Sequence, residues 1–157
     1  MKNGVKLIIA IAVPVAVGAF SGFFTASGVD GWFQTIKKPD WNPPSAVFAP
    51  VWTTLYILMG IALYLVWKSN APAAQKKQAI LFWCGQLVLN GLWSFIFFNQ
   101  HAIGFALFEI CLLWLAILVT IFLFARIHKA AAWLLVPYIS WVSFASLLTY
   151  AIWRLNP

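Results

Sequence analysis

The sequence predicts an all-α membrane protein, a five-transmembrane-helix bundle with a structured lid loop between the first two helices. The chain is 64% hydrophobic and only 8% charged, whereas a soluble domain has about 25% charged residues. Five charge-poor runs of about 20 residues match the roughly 30 Å thickness of a bilayer core. Only one connection between these runs is long, and it is rich in proline and aromatic residues.

The chain has the length of one domain, residues 1–157. Lys2 and Lys6 precede the first apolar run, as they would in a signal peptide. That run is longer than the usual apolar region of a signal peptide and ends without a small-residue cleavage site, so we expect it to remain as a span. The predicted spans cover residues 5–25, 46–67, 79–99, 102–125 and 132–153.

Turn-forming residues mark the ends of these spans. The lid loop, residues 26–45, ends in NPPS, and Ser45 is the predicted N-cap of the second span. Residues 70–72 break the chain after the second span, and residues 99–101 form a tight turn between the third and fourth. Pro14 and Pro137 lie inside spans, where neighbouring helices can accommodate a kink.

Basic residues are distributed unevenly between the two predicted membrane faces. The face of the lid loop and the C-terminus carries Lys37, Lys38 and Arg154. The positive-inside rule therefore predicts a cytoplasmic N-terminus, with the long first loop and the C-terminus on the opposite side. The basic residues that give the net charge of +7 serve as signals for membrane orientation, so we expect no nucleic-acid partner. The N-terminal face carries the other seven basic residues: Lys2, Lys6, Lys68, Lys76, Lys77, Arg126 and Lys129.

Nine of the ten tryptophans separate by predicted depth, and the tenth, Trp41, lies in the lid loop. The deeper ones should face the protein interior, because an indole N–H in hydrocarbon needs a hydrogen-bond partner. Trp114 is the exception in the deep set: it lies half a turn from the polar stripe of its helix, and we expect it to face lipid or another subunit. The deep set is Trp52, Trp93, Trp114 and Trp141. The predicted interfacial belt is Trp32, Trp67, Trp83, Trp133 and Trp153.

Polar side chains in the spans indicate a site below the lid loop. Gln86, Asn90 and Trp93 share one helix face. Glu109 is the one carboxylate within a span, and such residues are functional by default. Trp52, Trp93 and Glu109 lie roughly 9–10 Å below the lid-side surface at about 1.5 Å per residue. We therefore predict an aromatic cavity under a proline-stiffened lid; the alternative is that these amides and rings only hold the helices together.

Two further motifs allow more than one interpretation. The GxxxG motif of Gly18 and Gly22 permits close helix approach, either in a dimer or within the monomer. Leu148, Tyr150 and Arg154 fit a proposed sterol motif, but that pattern is weak, and an interfacial anchor is the favoured interpretation. Cys84 and Cys111 have no metal or disulfide spacing, so we expect no metal site.

The chain resembles the translocator protein / tryptophan-rich sensory protein family (TspO/MBR, the peripheral-type benzodiazepine receptor family) along nearly its whole length. The resemblance implies a five-helix bundle, commonly dimeric, that binds porphyrins, sterols and benzodiazepine-like ligands beneath the first loop. No cofactor is required, and porphyrin is a ligand. The segments that carry the resemblance are Trp32-Phe33, KKPDWNPP (37–44), FAPVWTTLY (48–56), GQLVLNGLWSFIFF (85–98), VPYISWVSFAS (136–146) and LLTYAIWR (147–154).

Motif positions in the family imply which residues bind the ligand. Phe105 stands where relatives often have Trp, Gly91 where some have an aromatic residue, and Glu109 replaces a common Asp, so ligand preference stays open. Light-dependent breakdown of protoporphyrin has been attributed to some members through two tryptophans that match Trp52 and Trp141, the candidate catalytic residues. The implied ligand-binding set is Gly22, Pro43, Pro44, Trp52, Asn90, Trp93, Phe105, Glu109, Trp141 and Ala145.

Three functions follow as hypotheses. The first is a membrane protein that binds protoporphyrin IX, and also sterol or benzodiazepine-like ligands, in a tetrapyrrole sensing or transport role. The second is a light-dependent porphyrin-degrading enzyme, although the sequence lacks an acid/base pair near the pocket. The third is a structural or lipid-organising membrane protein. Expected partners are the small hydrophobic ligand, membrane lipid and a second copy of the chain in a homodimer.

Overall fold

Five long helical segments form the bundle in the computed structural model, which describes residues 2–157. Each is long and apolar enough to cross a membrane, which confirms the predicted fold class. The predicted domain also includes Met1, which lies outside the described residues. The α-helices are α1 (Asn3–Val29), α2 (Trp32–Thr35), α3 (Phe48–Lys68), α4 (Ala73–Ser94), α5 (Ile103–Ile127), α6 (Lys129–Leu134) and α7 (Val136–Leu155).

Helix boundaries depart from the predicted ones where polar or small residues extend a helix past its apolar run. Helix α1 continues to Val29, so the first four residues of the lid loop are helical. A 3₁₀ turn, Ser45–Val47, precedes α3, and Ser45 caps no described backbone group with its side chain. The predicted N-cap is therefore wrong: the N-cap of the 3₁₀ turn is Pro44, and that of α3 is Val47. The third span ends in a π-helical segment, Phe95–Asn99.

The two predicted kink sites behave differently. Pro14 is buried inside α1, which continues unbroken through it. The fifth span divides at Leu135 into α6 and α7, and Pro137 occupies the first turn of α7. Proline is tolerated there because the first backbone N–H groups of a helix have no partner within that helix.

Helices α1 and α3 approach closely through glycines on both sides. A Cβ atom on Gly60 would lie 2.6 Å from Cα of Ile11, and one on Gly18 would overlap the ring of Tyr56. Side chains at these two positions would force the helices apart. Gly18 of the GxxxG motif therefore serves packing within the monomer, which was one of its two interpretations.

The bundle interior contains two tryptophans whose predicted positions are wrong. Trp83 belongs to the core and is 1% exposed, because its face of α4 is covered by neighbouring helices, whatever its depth in the membrane. Trp114 donates a hydrogen bond from Nε1 to Oγ of Ser143 at 2.8 Å. It thus joins α5 to α7 instead of facing lipid or a second subunit.

The lid loop is attached at one end of the bundle, beside the C-terminus. Asn156 accepts a hydrogen bond from the backbone N–H of Lys37 at 3.0 Å and donates one to the Lys37 carbonyl at 2.9 Å. Trp32 stacks on His101, with ring centroids 4.3 Å apart. His101 follows the π-helical segment and has a φ of 55°, a left-handed conformation in which the chain turns into α5.

Candidate functional site

A cavity of about 540 Å³ lies directly below the lid loop. Helices α1, α3, α4, α5 and α7 all contribute to its wall, and Asp30, Ser45 and Ala46 contribute from the lid side. Small residues of α1 create much of the space. Apart from its chain neighbours and the adjacent backbone of α1, no described heavy atom lies within 4 Å of a Cβ atom built on Gly22. A side chain at position 22 would therefore project into the cavity.

Aromatic rings form the opposite wall of this cavity. Trp52 stacks on Tyr56 within α3, with centroids 5.7 Å apart. Trp93 stacks on Phe97 with centroids 4.9 Å apart and planes 14° apart. A planar, apolar molecule could lie against these rings, because offset aromatic stacking is favourable beyond the area it buries.

A smaller cavity of about 40 Å³ adjoins the first and shares several of its residues. Trp141 lines only this smaller cavity, where its ring contacts Phe48 at a centroid distance of 6.1 Å. The shared residues include Trp52, Trp93 and Ala145. Trp141 is thus not among the residues that line the larger cavity.

Asn90 lies on the cavity wall and is held by two tyrosines. Its Oδ1 accepts a hydrogen bond from the Tyr56 hydroxyl at 2.5 Å, and its Nδ2 donates to the Tyr138 hydroxyl at 3.0 Å. The Tyr138 hydroxyl donates in turn to Oε1 of Gln86 at 2.7 Å. The sequence placed Gln86 and Asn90 on one helix face but did not identify the tyrosines as their partners.

Three buried polar atoms beside the two cavities have no hydrogen-bond partner among residues 2–157. They are Nε1 of Trp93, Nε1 of Trp141 and Oγ of Ser21. Buried indole N–H groups normally find an acceptor. An acceptor atom of a bound molecule would satisfy the two indoles, so these atoms mark where a ligand can form hydrogen bonds.

Most of the predicted ligand-binding residues come together at the cavities. Gly22, Trp52, Asn90, Trp93 and Ala145 line the larger one. Trp141 lines the smaller one, as described above. Whether these residues bind a ligand stays a prediction.

Four of the predicted ligand-binding residues line neither of these cavities in the described structure. Pro43 and Pro44 belong to the extended part of the lid loop that leads into the 3₁₀ turn. Phe105 and Glu109 lie on α5, which contributes only Ile110 and Leu113 to the cavity wall.

Phe105 lies on the outer face of the bundle, contrary to the prediction. Its side chain is 59% exposed and stacks on Phe108 at a centroid distance of 6.4 Å. The neighbouring Ala106 takes the inward position and is fully buried. Successive side chains on a helix point about 100° apart. Because the inward face of α5 passes through residue 106, the aromatic ring of residue 105 lies on the surface.

Glu109 is buried but separate from the cavities. Neither carboxyl oxygen has a hydrogen-bond partner within the part of the chain that the structure describes. The side chain of Asn90, a polar residue predicted for the same site, bonds Tyr56 and Tyr138 and not Glu109. The structure gives Glu109 no contact that would explain a carboxylate at this position.

The residues of the proposed sterol motif do not share one surface. Tyr150 and Arg154 are exposed on α7. Leu148 is buried and lines the smaller cavity. A sterol on the outer surface could contact only Tyr150 and Arg154.

For metals, residues 2–157 contain no group of three His, Cys, Asp or Glu side chains placed to hold an ion.

Comparison with known proteins reveals similarity along almost the whole chain. A family model described as the TspO/MBR family matches residues 10–154. The chain is 41% identical to the tryptophan-rich protein TspO of Chlorobaculum tepidum over 160 residues, covering 99% of each chain. It is 39% identical to the TspO protein of Archaeoglobus fulgidus, over 98% of this chain and 99% of that one. Identity to the human translocator protein is 38%, covering 90% of this chain and 85% of the relative.

Proposed function

The chain belongs to the TspO/MBR family of membrane proteins, and on that premise we propose that it binds tetrapyrroles, foremost protoporphyrin IX, beneath its lid loop. The role of this binding is tetrapyrrole sensing or transport. Sterols and benzodiazepine-like molecules are further ligands of the same pocket. No cofactor is required, because the chemistry of the site is enclosure and hydrogen bonding.

The observation that carries this proposal is the aromatic cavity. Its volume of about 540 Å³ falls within the roughly 300–1,000 Å³ of small-molecule sites. Trp52 and Trp93 offer flat apolar surfaces to a macrocycle, while Gly22 leaves room opposite them. A rigid planar ligand suits such a site, because it loses little conformational freedom on binding.

Titration of the protein with protoporphyrin IX in the dark, followed by quenching of tryptophan fluorescence, tests the proposal. We expect saturable binding to the wild type. Trp52→Ala and Trp93→Ala should each weaken it by about 1–3 kcal/mol, the range measured for one aromatic stacking surface. Trp133→Ala is the matched control, because that indole is 72% exposed on the outer surface.

Equal affinity in all three variants and the wild type would contradict a ligand site in this cavity. The absence of saturable binding to the wild type would favour the structural or lipid-organising function instead.

One observation favours light-dependent porphyrin breakdown as a second candidate. The indole N–H of Trp141 has no partner among the described residues and borders the smaller cavity. Trp141→Phe separates the two functions, because phenylalanine keeps an aromatic surface but is much harder to oxidise. If binding is the function, any consumption of porphyrin in light should follow occupancy in this variant. Normal dark binding with no consumption in light would support the enzyme.

The family resemblance also leads us to propose a homodimer embedded among membrane lipids. The outer face of α1 offers an apolar surface for the second copy, with Phe20 and Phe23 both exposed. Gly18 does not contribute to it, since it packs against Tyr56 within the monomer. Crosslinking through cysteines at Phe20 or Phe23, with exposed Leu81 on α4 as the control position, tests this surface.

A further inference from the structure

Three lysines from three different helices come together where α3 ends, at the end of the bundle farthest from the lid loop. Nζ of Lys6 on α1 lies 5.9 Å from the ring centroid of Trp67. Nζ of Lys76 on α4 donates a hydrogen bond to the carbonyl oxygen of Ser69 at 3.0 Å. Lys68, the last residue of α3, lies between these two contact residues in the chain. We call Lys6, Lys68 and Lys76 the lysine cluster.

Neighbouring groups hold each lysine of the cluster in place. Nζ of Lys68 lies 4.8 Å from the ring centroid of Tyr64, one turn earlier on α3, and a cation is attracted to the face of an aromatic ring. Lys6 and Lys76 are both partly buried. An ammonium group has three hydrogens to donate, so Lys76 keeps two after its bond to the Ser69 carbonyl. The cluster therefore presents positioned hydrogen-bond donors as well as positive charge.

No carboxylate of the described chain lies near the cluster. The acidic residues are Asp30, Asp40 and Glu109. Asp30 follows α1 and is about 36 Å from Lys6 at 1.5 Å per residue. The other two lie in the lid loop and in the first two turns of α5, which begins beside that loop. The repulsion among the three ammonium groups is thus not compensated within residues 2–157, and an anion from outside the chain would relieve it.

An apolar strip on α1 leads from the cluster towards the centre of the bilayer. Lys6, Ile9 and Val13 are spaced by three and four residues, so they share one helix face. Ile9 is 39% exposed and Val13 is 43% exposed. A phospholipid can place its phosphate at the lysines and an acyl chain along this strip, whereas a dissolved anion would contact the lysines alone.

We propose that the lysine cluster binds the headgroup phosphate of an anionic phospholipid, in the leaflet at the N-terminal end of the bundle. Basic pockets between membrane helices are suited to such headgroups. None of the three lysines lines the larger or the smaller cavity, so the lipid site is independent of the proposed porphyrin binding.

An orientation signal alone does not require this arrangement, because the positive-inside rule depends on the number of basic residues near the ends of the spans and not on their contacts. Lys77 allows the two roles to be separated. It follows Lys76 on α4 and carries the same charge, but it is exposed and its side chain points about 100° away. An orientation signal uses both residues equally, whereas a lipid site uses Lys76.

Native mass spectrometry of the full chain in a neutral detergent tests the proposal. The lipids are an equimolar mixture of phosphatidylglycerol and phosphatidylcholine with identical acyl chains. We expect the wild type to retain phosphatidylglycerol in preference. Lys6→Gln and Lys76→Gln should each lower this preference about fivefold, which corresponds to the contribution of one basic residue near a membrane surface. Lys77→Gln is the matched control and should keep the wild-type preference.

Two results would overturn the lipid site. Equal retention of both lipids by the wild type would show that the cluster does not recognise the anionic headgroup. An equal loss of preference in Lys76→Gln and Lys77→Gln would show a diffuse attraction to the whole basic end of the bundle.

Inorganic phosphate distinguishes a lipid from a dissolved anion. At millimolar concentration it should displace little of the bound phosphatidylglycerol, because it lacks an acyl chain to contact the strip on α1. Complete displacement would assign the cluster to a soluble phosphate and overturn the lipid proposal.

Discussion

At the scale of single residues, Gly18 and Gly22 lie one helical turn apart and have different roles. A Cβ atom at Gly18 would overlap the Tyr56 ring, whereas one at Gly22 would meet no atom of another described helix within 4 Å. One glycine therefore permits helix packing, and the other leaves part of the cavity empty. The sequence motif that contains both residues does not distinguish these roles, because each depends on what the opposite helix presents.

This difference predicts separate effects for the same substitution. Gly18→Leu should destabilise the protein by about 1–3 kcal/mol, the usual cost of overpacking. Gly22→Leu should leave stability near that of the wild type but weaken porphyrin binding at least about tenfold, because the side chain occupies ligand volume. Thermal unfolding in detergent and fluorescence titration measure the two effects. Tight porphyrin binding by Gly22→Leu would place the ligand elsewhere.

Residue-level predictions from the sequence succeeded where helical spacing determines the direction of a side chain. Gln86, Asn90 and Trp93 do share the inward face of α4. Prediction failed for Phe105, because the position of α5 relative to its neighbours, and so its inward face, follows from packing. It also failed to pair Asn90 with its two tyrosines, since contacts between different helices are not visible in the spacing within one helix.

At the scale of elements, the five spans were predictable from hydropathy, but their ends were not. Hydropathy detects the apolar stretch of a helix, whereas the hydrogen-bonded helix continues until the backbone leaves the helical conformation. Helix α1 therefore extends to Val29, and the third span continues through a π-helical segment to Asn99. Pro137 indicated a disruption in the fifth span, but only the structure reveals two separate helices there.

The lid loop is an element whose attachment can be tested. Asn156→Ala removes both hydrogen bonds between the C-terminal segment and the Lys37 backbone. Each such bond contributes about 0.5–1.5 kcal/mol, so we expect the ligand to dissociate about tenfold faster. Helix content by circular dichroism should not change. Asn70→Ala, in the connection before α4, is the control, and an unchanged dissociation rate in Asn156→Ala would show that the lid loop does not retain the ligand.

Stiffness of the lid loop should also contribute to ligand affinity. Replacing Pro43 and Pro44 by alanine should weaken porphyrin binding by about 1 kcal/mol, because each proline restricts the unbound loop by roughly 0.4–1 kcal/mol. Neither residue lines the larger or the smaller cavity, so the effect should appear without loss of stacking contacts. Unaltered affinity in this double variant would mean that the loop is only a connector.

At the scale of the whole molecule, the two ends of the bundle differ in structure and charge. At one end, the lid loop contacts both the His101 turn and the C-terminal segment. Seven of the ten basic residues lie near the N-terminus or in the helix turns that flank the connections at the other end: Lys2, Lys6, Lys68, Lys76, Lys77, Arg126 and Lys129. The cavity lies towards the end with fewer positive charges, directly beneath the lid loop.

The charge difference predicts the orientation of the protein in its membrane. Lysine and arginine are retained on the cytoplasmic side during insertion, so the lid loop should face the opposite compartment. Asp40→Cys and Gln75→Cys, each in a background with Cys84 and Cys111 replaced by alanine, place single thiols at exposed positions of the two ends. In sealed right-side-out vesicles, a membrane-impermeant maleimide should label only the Asp40→Cys variant. After the vesicles are permeabilised, it should label both variants. Labelling of position 75 alone in intact vesicles would reverse the orientation, and the cavity would then open towards the cytoplasm.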